Sequence, residues 1–156
     1  MKIALIVVGS VVGLGVVLLI VGLVVARLRT PPADKVEVGI HDGRFVPCPK
    51  TPNCVSTMAT DAVHRIEPIP YDGTAEQAMT EARAALESLP RIRILKQEDH
   101  YLRAEARTLI FRFVDDVEIY VPEGAGVIHY RSASRVGQGD VGTNRKRFER
   151  FREALQ

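Results

Sequence analysis

Charged and hydroxyl side chains are concentrated in two neighbouring strand-like segments of the 156-residue sequence. Asp115 and Asp116 lie in the first segment, FRFVDDVEIY, among aromatic and β-branched residues. The second segment, VIHYRSASR, carries two arginines and two serines: Arg131, Ser132, Ser134 and Arg135. These residue types suit three chemistries: charge pairs that only stabilise the fold, recognition of an anion by arginine, and hydrolysis by a serine that a carboxylate activates.

The two segments predict a β-hairpin, because a short turn with one proline and two glycines connects them. We pair the last residue of the first strand with the first residue of the second. In that register Asp115 lies diagonally between Arg131 and Arg135, within reach of both long side chains. Asp116 then shares the opposite face with the two serines. A shift of one residue would exchange the two faces, so these pairings depend on the register.

A glycine-containing loop leads from the hairpin into a basic C-terminal helix. Backbone N–H groups around Gly137 could converge on an anion at the positively polarised start of that helix, close to Arg145. Asn144 is expected either to cap this helix or to donate to a ligand. The favoured interpretation is a binding site for a small anionic ligand or a lipid headgroup. Its candidate residues are Asp115, Asp116, Arg131, Ser132, Ser134, Arg135, Gly137, Asn144 and Arg145.

Two alternatives stay open beside the anion site. One is a hydrolase that uses Asp116 with Ser132 or Ser134, and the other is a purely structural Asp–Arg network. Neither serine has an assignable histidine partner, and the four histidines lack the spacing of metal ligands. We therefore predict no metal and no cofactor, and we favour a binding or interaction module over an enzyme.

Cys48 and Cys54 are the only two cysteines, and they lie six positions apart in a proline-rich segment. This spacing suits a small disulfide-closed loop, which is common outside the cytoplasm. Two structural thiols, or a redox or metal role, are the less favoured alternatives. A disulfide would place the domain outside the cytoplasm. This outweighs the basic residues after residue 26, which mildly favour a cytoplasmic domain.

The N-terminal region predicts a membrane anchor. Ile3 to Ala26 is an unbroken run of apolar and small residues, long enough to cross a bilayer as a helix, and Arg27 and Arg29 end it. The run is longer than the apolar part of a cleaved signal peptide. We therefore expect a single-pass membrane protein that contacts the lipid bilayer through residues 3–26. The predicted organisation is an anchor over 1–29, a linker over 30–46 and one domain over 47–156.

The sequence after the linker predicts an α+β domain with the order β-α-β-β-β-β-α. Val63–Ile69 is the first predicted strand, and Thr74 to Gln77 fits a capping box before a helix that Pro90 ends. Alternating residues predict strands over 91–95 and 101–108, ahead of the hairpin strands over 109–121 and 127–134. Short turns make these strands antiparallel neighbours. We therefore expect a sheet of about five strands with two helices on one face.

The composition limits the classes of function. Charged residues make up 26% of the sequence and hydrophobic residues 46%, which is typical of a globular protein. The formal net charge of +2 is too small to indicate nucleic-acid binding, and we predict no nucleic-acid partner.

Four segments resemble a known family. The stretches CPKTPNCVST, FRFVDDVEIY, RSASRVG and GDVGTNRKR are similar, in kind and order, to the motifs of the family known as domain of unknown function 1499. The resemblance covers the chain from Pro47 to the C-terminus and agrees with a membrane-attached or exported protein. It implies a shared fold but no activity. The special positions it implies are Cys48, Cys54, Asp115, Asp116, Arg131, Ser132, Ser134, Arg135, Asn144 and Arg145.

Overall fold

The computed structural model describes residues 2–109 and 111–156, except for the side chains of residues 2–8 and Ala26. The helices of the described chain are α1 (Lys2–Leu28), α2 (Ala75–Ser88) and α3 (Thr143–Ala154), with a 3-10 turn at Ala33–Lys35. The strands are β1 (Ile40–His41), β2 (Arg44–Phe45), β3 (Cys54–Ser56), β4 (Ile69–Pro70), β5 (Ile92–Gln97), β6 (Tyr101–Arg107), β7 (Val114–Tyr120) and β8 (Val127–Ser134).

Five antiparallel strands form the main sheet, in the order β3-β8-β7-β6-β5. The short strand β4 pairs with the opening residues of β8, and β1 and β2 form a separate hairpin. From β5 to β8, strands that follow each other in sequence are neighbours in the sheet, as short connections require. The predicted α+β fold with an antiparallel sheet is confirmed.

Helix α2 begins where the sequence predicts, because a capping box satisfies its first backbone donors. The Thr74 hydroxyl accepts a hydrogen bond from the Gln77 backbone N–H at 3.2 Å. The Gln77 side chain accepts from the Thr74 backbone N–H at 3.1 Å. The helix buries a face of mostly small residues, of which Ala82 and Leu86 are fully buried. Small side chains at this contact let α2 lie close to the sheet.

The core lies between the helices and one face of the sheet. Val117 and Ile119 of β7 and Tyr130 of β8 are fully buried there. Phe148 and Phe151 of α3 each place their ring centroid 5.2 Å from that of Tyr130. Burial of these apolar surfaces is the main favourable contribution to folding. Both α2 and α3 therefore cover one face of the sheet, as predicted.

Two segments ahead of α2 differ from the prediction. The predicted strand Val63–Ile69 begins with a turn and continues mostly as irregular chain, and only its end belongs to β4. Asp61 favours the turn, because its carboxylate accepts from two backbone N–H groups of that segment. In contrast, β3 follows directly on the proline-rich loop and pairs with β8. It lies at the edge of the sheet, where nearby prolines are tolerated.

The predicted strand over 109–121 begins only at Val114. A turn precedes it, in which the Thr108 hydroxyl accepts from the Phe113 backbone N–H at 2.9 Å. Arg112 has a φ of 55°, in the left-handed region. Ile110 lies outside the described residues. The turn leaves the side chains of Leu109 and Phe111 exposed.

Helix α1 corresponds to the segment predicted to anchor the protein in a membrane. Among the residues that the structure describes, no helix has the length and apolar character needed to cross a bilayer. The prediction of an N-terminal transmembrane helix is corrected accordingly. Residues 3–8 and Ala26 of the predicted span lie outside the described side chains.

Candidate functional site

The register of β7 and β8 differs by one residue from the predicted register. Asp115 lies opposite Ser134, and Asp116 lies opposite Ala133. The shift exchanges the two faces of the hairpin. Asp115 therefore joins the serines on the helix-covered face, and Asp116 joins the arginines on the other face. The predicted placement of Asp115 between Arg131 and Arg135 is wrong.

The core explains this register. Val117 and Ile119 alternate with Asp116 along β7, and both must face the helices to be buried. On β8, Ile128 and Tyr130 must do the same. The observed pairing aligns these two apolar sets on one face, whereas the predicted pairing would have placed them on opposite faces.

On the sheet face without helices, six of the charged side chains form a group that we call the ionic face: Arg103, Glu105, Asp116, Glu118, Arg131 and Arg135. Asp116 accepts from Arg103 Nη2 and from Arg135 Nε, each at 2.7 Å. Arg135 Nη2 also lies 2.9 Å from Glu105 Oε1. Arg131 donates to Glu118 at 2.7 Å. Buried charges are tolerated when they are paired, and every member of the ionic face has an opposite partner.

Burial and contacts at the ionic face shift the pKa values of Glu105 and Tyr101. Burial alone would raise the pKa of Glu105, but the hydrogen bond from Arg93 and the charge of Arg135 outweigh it, so this pKa lies below its ordinary value. Burial and the negative charge of Glu118 raise the pKa of Tyr101. The Tyr101 hydroxyl consequently stays protonated and donates to Glu118 at 2.9 Å.

The N-terminal segment over residues 30–46, predicted as a linker, lies along the ionic face. Arg103 donates to the Ala33 carbonyl at 2.9 Å, and the Gly39 backbone N–H donates to Glu118 at 2.7 Å. Phe45 is buried and meets the ring of Tyr120 edge-on at 6.4 Å. The segment therefore helps to close this face. Three predicted ligand-binding residues, Asp116, Arg131 and Arg135, are used inside it.

Asn144, predicted as a helix cap or a ligand donor, is completely buried in the first turn of α3. Its Oδ1 accepts from the Ser132 hydroxyl at 2.6 Å and from Arg147 at 2.7 Å. Its Nδ2 donates to the Asn53 carbonyl at 3.0 Å and to Ser134 Oγ at 3.1 Å. An amide has two donors and two acceptor positions, and all four are satisfied. Asn144 therefore fastens α3 to β8 and to the segment before β3.

The two serines do not form a nucleophile–base pair. The side-chain partners of Ser132 are Asn144 and Arg147, and that of Ser134 is Asn144. Asp116, the predicted base, lies on the opposite face, and Asp115 is held by Arg147 at 2.5 Å. Within the described chain, no carboxylate or imidazole hydrogen-bonds to either serine. The hydrolase alternative therefore has no support in this geometry.

The start of α3 already holds a carboxylate from the chain itself. Asp140 accepts from the Gly142 backbone N–H at 2.9 Å and from the Asn144 backbone N–H at 2.7 Å. Gly142 has a φ of 73°, which glycine adopts readily. Asp140 thus provides the cap that we predicted from Asn144. It also occupies the helix N-terminus where we predicted an external anion.

The other two predicted loop residues have structural partners. The carbonyl of Gly137 accepts from the Asn53 side chain at 2.8 Å. Arg145 donates to the carbonyls of Val63 and Arg65 at 3.0 and 3.1 Å. Both contacts bind loops of the fold to each other, and Gly137 also lines a cleft together with Val136 and Val141.

A cleft lined by basic residues lies beside α3, between the helix and the adjoining ends of β5 and β6. We call it the basic cleft; its volume is about 280 Å³. Its basic residues are Arg91, Arg107, Lys146, Arg147 and Arg150, and the described residues contribute no carboxylate to its lining. Arg147 is paired with Asp115, and Arg107 is paired with Glu105. Lys146 and Arg150 form no ion pair with any residue in the described part of the chain.

A second cleft, which we call the apolar cleft, opens between the turn after β6 and the glycine loop before α3. Its volume is about 450 Å³. Its apolar residues are Leu109, Phe111, Phe113, Val136 and Val141. Thr108, Leu109 and Thr143 line both clefts, so the two adjoin.

The residues of the basic cleft were not predicted as a site, although the sequence contains part of the signal for them. Thr143, Lys146, Arg147 and Arg150 follow a spacing of three and four residues, which places them on one side of a helix. Arg91 and Arg107 gave no such signal. They meet because Arg107 donates its backbone N–H to the Arg91 carbonyl at 3.2 Å, across the β5–β6 pair.

Cys48 and Cys54 form a disulfide, as predicted. The bond closes the proline-rich loop directly before β3. Over residues 2–109 and 111–156, no group of three or more His, Cys, Asp and Glu side chains is placed to hold a metal ion.

Comparison with known proteins supports the resemblance found in the four motifs. A family model described as "Protein of unknown function (DUF1499)" matches residues 44–155. No curated protein matches the chain. The match includes the disulfide, the ionic face and both clefts.

Proposed function

We propose that this chain, which belongs to the DUF1499 family, is a binding module that recognises a small anion in its basic cleft. This retains the anionic ligand predicted from the sequence and moves its site. The site lies along α3 at Lys146 and Arg150, and it includes Arg91, directly before β5.

The observation that carries the proposal is an excess of positive charge in a concave site. Five basic residues line the cleft, of which Arg107 directs its side chain to Glu105 on the ionic face, and the described residues add no acidic one to the lining. The carboxylates of Asp115 and Glu105 neutralise only two of the five. Clefts lined by one sign of charge focus the electrostatic potential and attract ions of the opposite sign.

One guanidinium of the cleft is held in position before any ligand binds. Arg147 contacts Asp115, Asn144 and Ser132, and its side chain is largely buried. Lys146 and Arg150 are exposed on the same side of α3. A buried, hydrogen-bonded guanidinium beside two exposed cations suits an oxyanion, because guanidinium and ammonium groups both donate charge-assisted hydrogen bonds.

The test is calorimetric titration of the full chain with inorganic phosphate. The double variant Lys146→Gln/Arg150→Gln should bind phosphate about tenfold more weakly, since it loses two charged donors. Rising ionic strength should weaken binding to the natural chain, because salt screens exposed charges. An unchanged phosphate affinity in the double variant would refute the proposal.

Lys50→Gln is the matched control, because Lys50 is an exposed lysine outside the cleft. It should leave phosphate binding unchanged. The double variant should also retain its free energy of unfolding to within about 0.5 kcal/mol, since exposed unpaired cations add little to stability. A weakened affinity would then reflect the cleft and not unfolding.

We also propose that the domain acts outside the cytoplasm. The support is the disulfide between Cys48 and Cys54, because such bonds persist in oxidising compartments. A membrane-impermeant thiol reagent applied to intact cells should label these cysteines only after reduction by an impermeant reductant. Labelling that requires cell lysis would contradict this location.

A further inference from the structure

We propose that the ligand is a dissolved amphiphile with one hydrocarbon chain, whose anionic head binds in the basic cleft and whose chain lies in the apolar cleft. This inference rests on the proposed function, because it assigns the same anion a hydrocarbon tail. It adds a second subsite and a chemical class of ligand.

The distribution of exposed apolar side chains carries the inference. Apart from α1, the described residues expose four large hydrophobic side chains: Val63, Leu109, Phe111 and Val141. Three of the four line the apolar cleft. Val141 is 92% exposed and Leu109 is 70% exposed. Scattered exposed apolar residues need no explanation, but a concave cluster of them marks a binding site.

The arrangement of the two clefts matches a head and a tail. They share Thr108, Leu109 and Thr143, so a ligand that leaves the basic cleft enters the apolar one directly. None of the five basic residues of the basic cleft lines the apolar cleft. There, the lining surface is mainly apolar. A small anion alone would leave this apolar surface uncovered, whereas a hydrocarbon chain would bury it.

Two carboxylates line the apolar cleft, and both have partners within the protein. Asp115 is almost fully buried and Arg147 neutralises it, and Asp140 accepts from the backbone N–H groups of Gly142 and Asn144. The Thr108 hydroxyl accepts from the Phe113 backbone, and the Thr143 hydroxyl donates to the Asp140 carbonyl. Covering these groups therefore costs little, because their hydrogen bonds lie within the protein.

Decyl phosphate, inorganic phosphate and decanol are the three probes of the test. The full chain is used with its Leu and Val methyl groups isotopically labelled, and binding is followed by NMR at Leu109, Val136 and Val141. Residue-level detection is required because α1 also exposes apolar side chains, such as Val11 and Leu14. Decyl phosphate should bind at the cleft about tenfold more tightly than inorganic phosphate or decanol.

Phe111→Ser and Val141→Ser test the tail subsite, since both residues line only the apolar cleft. Each should weaken decyl phosphate binding severalfold and leave inorganic phosphate binding unchanged. Val63→Ser is the matched control: Val63 is also exposed, but it lies outside both clefts. It should change neither affinity. Each substitution replaces an exposed side chain, so the fold should be retained.

The outcomes separate the two proposals. Equal affinity for phosphate and decyl phosphate, both reduced by Lys146→Gln/Arg150→Gln, would overturn the amphiphile and leave the anion site standing. Decanol that binds at the cleft as tightly as decyl phosphate, with no effect of the double variant, would overturn both. Methyl shifts at Leu109 and Val141 that depend on protein concentration alone would identify the patch as a contact between copies of the chain and overturn the amphiphile.

Discussion

The ionic face and the basic cleft use the same residue types in opposite ways. On the ionic face, Asp116 pairs with two arginines, and the N-terminal segment closes over the network. The basic cleft is lined by five basic residues, of which Arg107 and Arg147 pair with carboxylates and Lys146 and Arg150 are exposed without an ion pair among the described residues. The charged residues of the β7–β8 hairpin therefore stabilise the fold. The candidate binding site is the basic cleft, where positive charges lack opposite partners.

The difference follows from desolvation. A charge removed from water is costly until opposite charges and hydrogen bonds surround it, so buried arginines are used up by their partners. An exposed cation keeps its hydration and can exchange water for a ligand. The number of arginines in a motif consequently says little about ligand binding. Their pairing and exposure decide it.

Asp116→Ala should break the ionic face and gives the largest expected effect. Arg103 and Arg135 would be left buried with their main partner removed. We expect a loss of about 4 kcal/mol in the free energy of unfolding, measured by urea denaturation. Phosphate binding per folded molecule should not change, because Asp116 lies on the opposite side of the sheet from the clefts.

A loss below about 1 kcal/mol for Asp116→Ala would show that its two arginine pairs behave like surface ion pairs. The distinction between the ionic face, with its buried charge pairs, and the basic cleft would then fail.

Asp140→Ala sharpens the comparison, because it removes the carboxylate that now occupies the N-terminus of α3. Removal of the carboxylate releases the backbone N–H groups of Gly142 and Asn144. The free energy of unfolding should fall by about 1 kcal/mol, as for other helix caps. Calorimetric titration should show phosphate binding more tightly, because one acidic group near the cleft is gone and the helix start is free to accept an anion. Weaker binding would show that Asp140 orders the cleft.

Acid should weaken the ionic face through Glu105, with the smallest expected effect. Its folded-state pKa lies below the ordinary value of 4.5. The stabilisation is therefore fully present above 4.5 and is lost as the pH falls through the folded-state pKa. The exposed parts of Arg93 and Arg107 reduce its size through solvent screening.

Urea denaturation of the natural chain and of Glu105→Gln, repeated from neutral to acid pH, measures this contribution. The difference in unfolding free energy between the two should be constant at neutral pH and should shrink in acid. A difference that stays constant throughout would exclude Glu105 from the acid sensitivity.

Local signals in the sequence were sufficient for several elements. The capping box and the run of alanines predicted α2, and the spacing of Phe148 and Phe151 predicted α3. The cysteine spacing predicted the disulfide. In each case the determining interactions lie within a few residues of each other, so no distant part of the fold can overturn them.

The predicted hairpin is present in the structure, but its register is decided by which side chains the core buries. A shift of one residue keeps every strand and turn and exchanges every face. The alternation of Val117 and Ile119 with Asp116 contained the correct answer, because apolar side chains must face the helices. The contacts of Arg145 and Asn144 could not be predicted for a related reason. Their partners, Val63 and Asn53, lie far away in the sequence and adjacent in space.

The sequence by itself determined the α+β fold, the family, the disulfide and the concentration of charge on one hairpin, because these depend on composition, motifs and short-range spacing. Only the tertiary structure decided which charges are neutralised. It pairs Asp116 with Arg103 from another strand and leaves Lys146 and Arg150 exposed beside Arg91. Long-range packing decides which charges are buried, and burial separates the arginines that stabilise the fold from the cations that can bind a ligand.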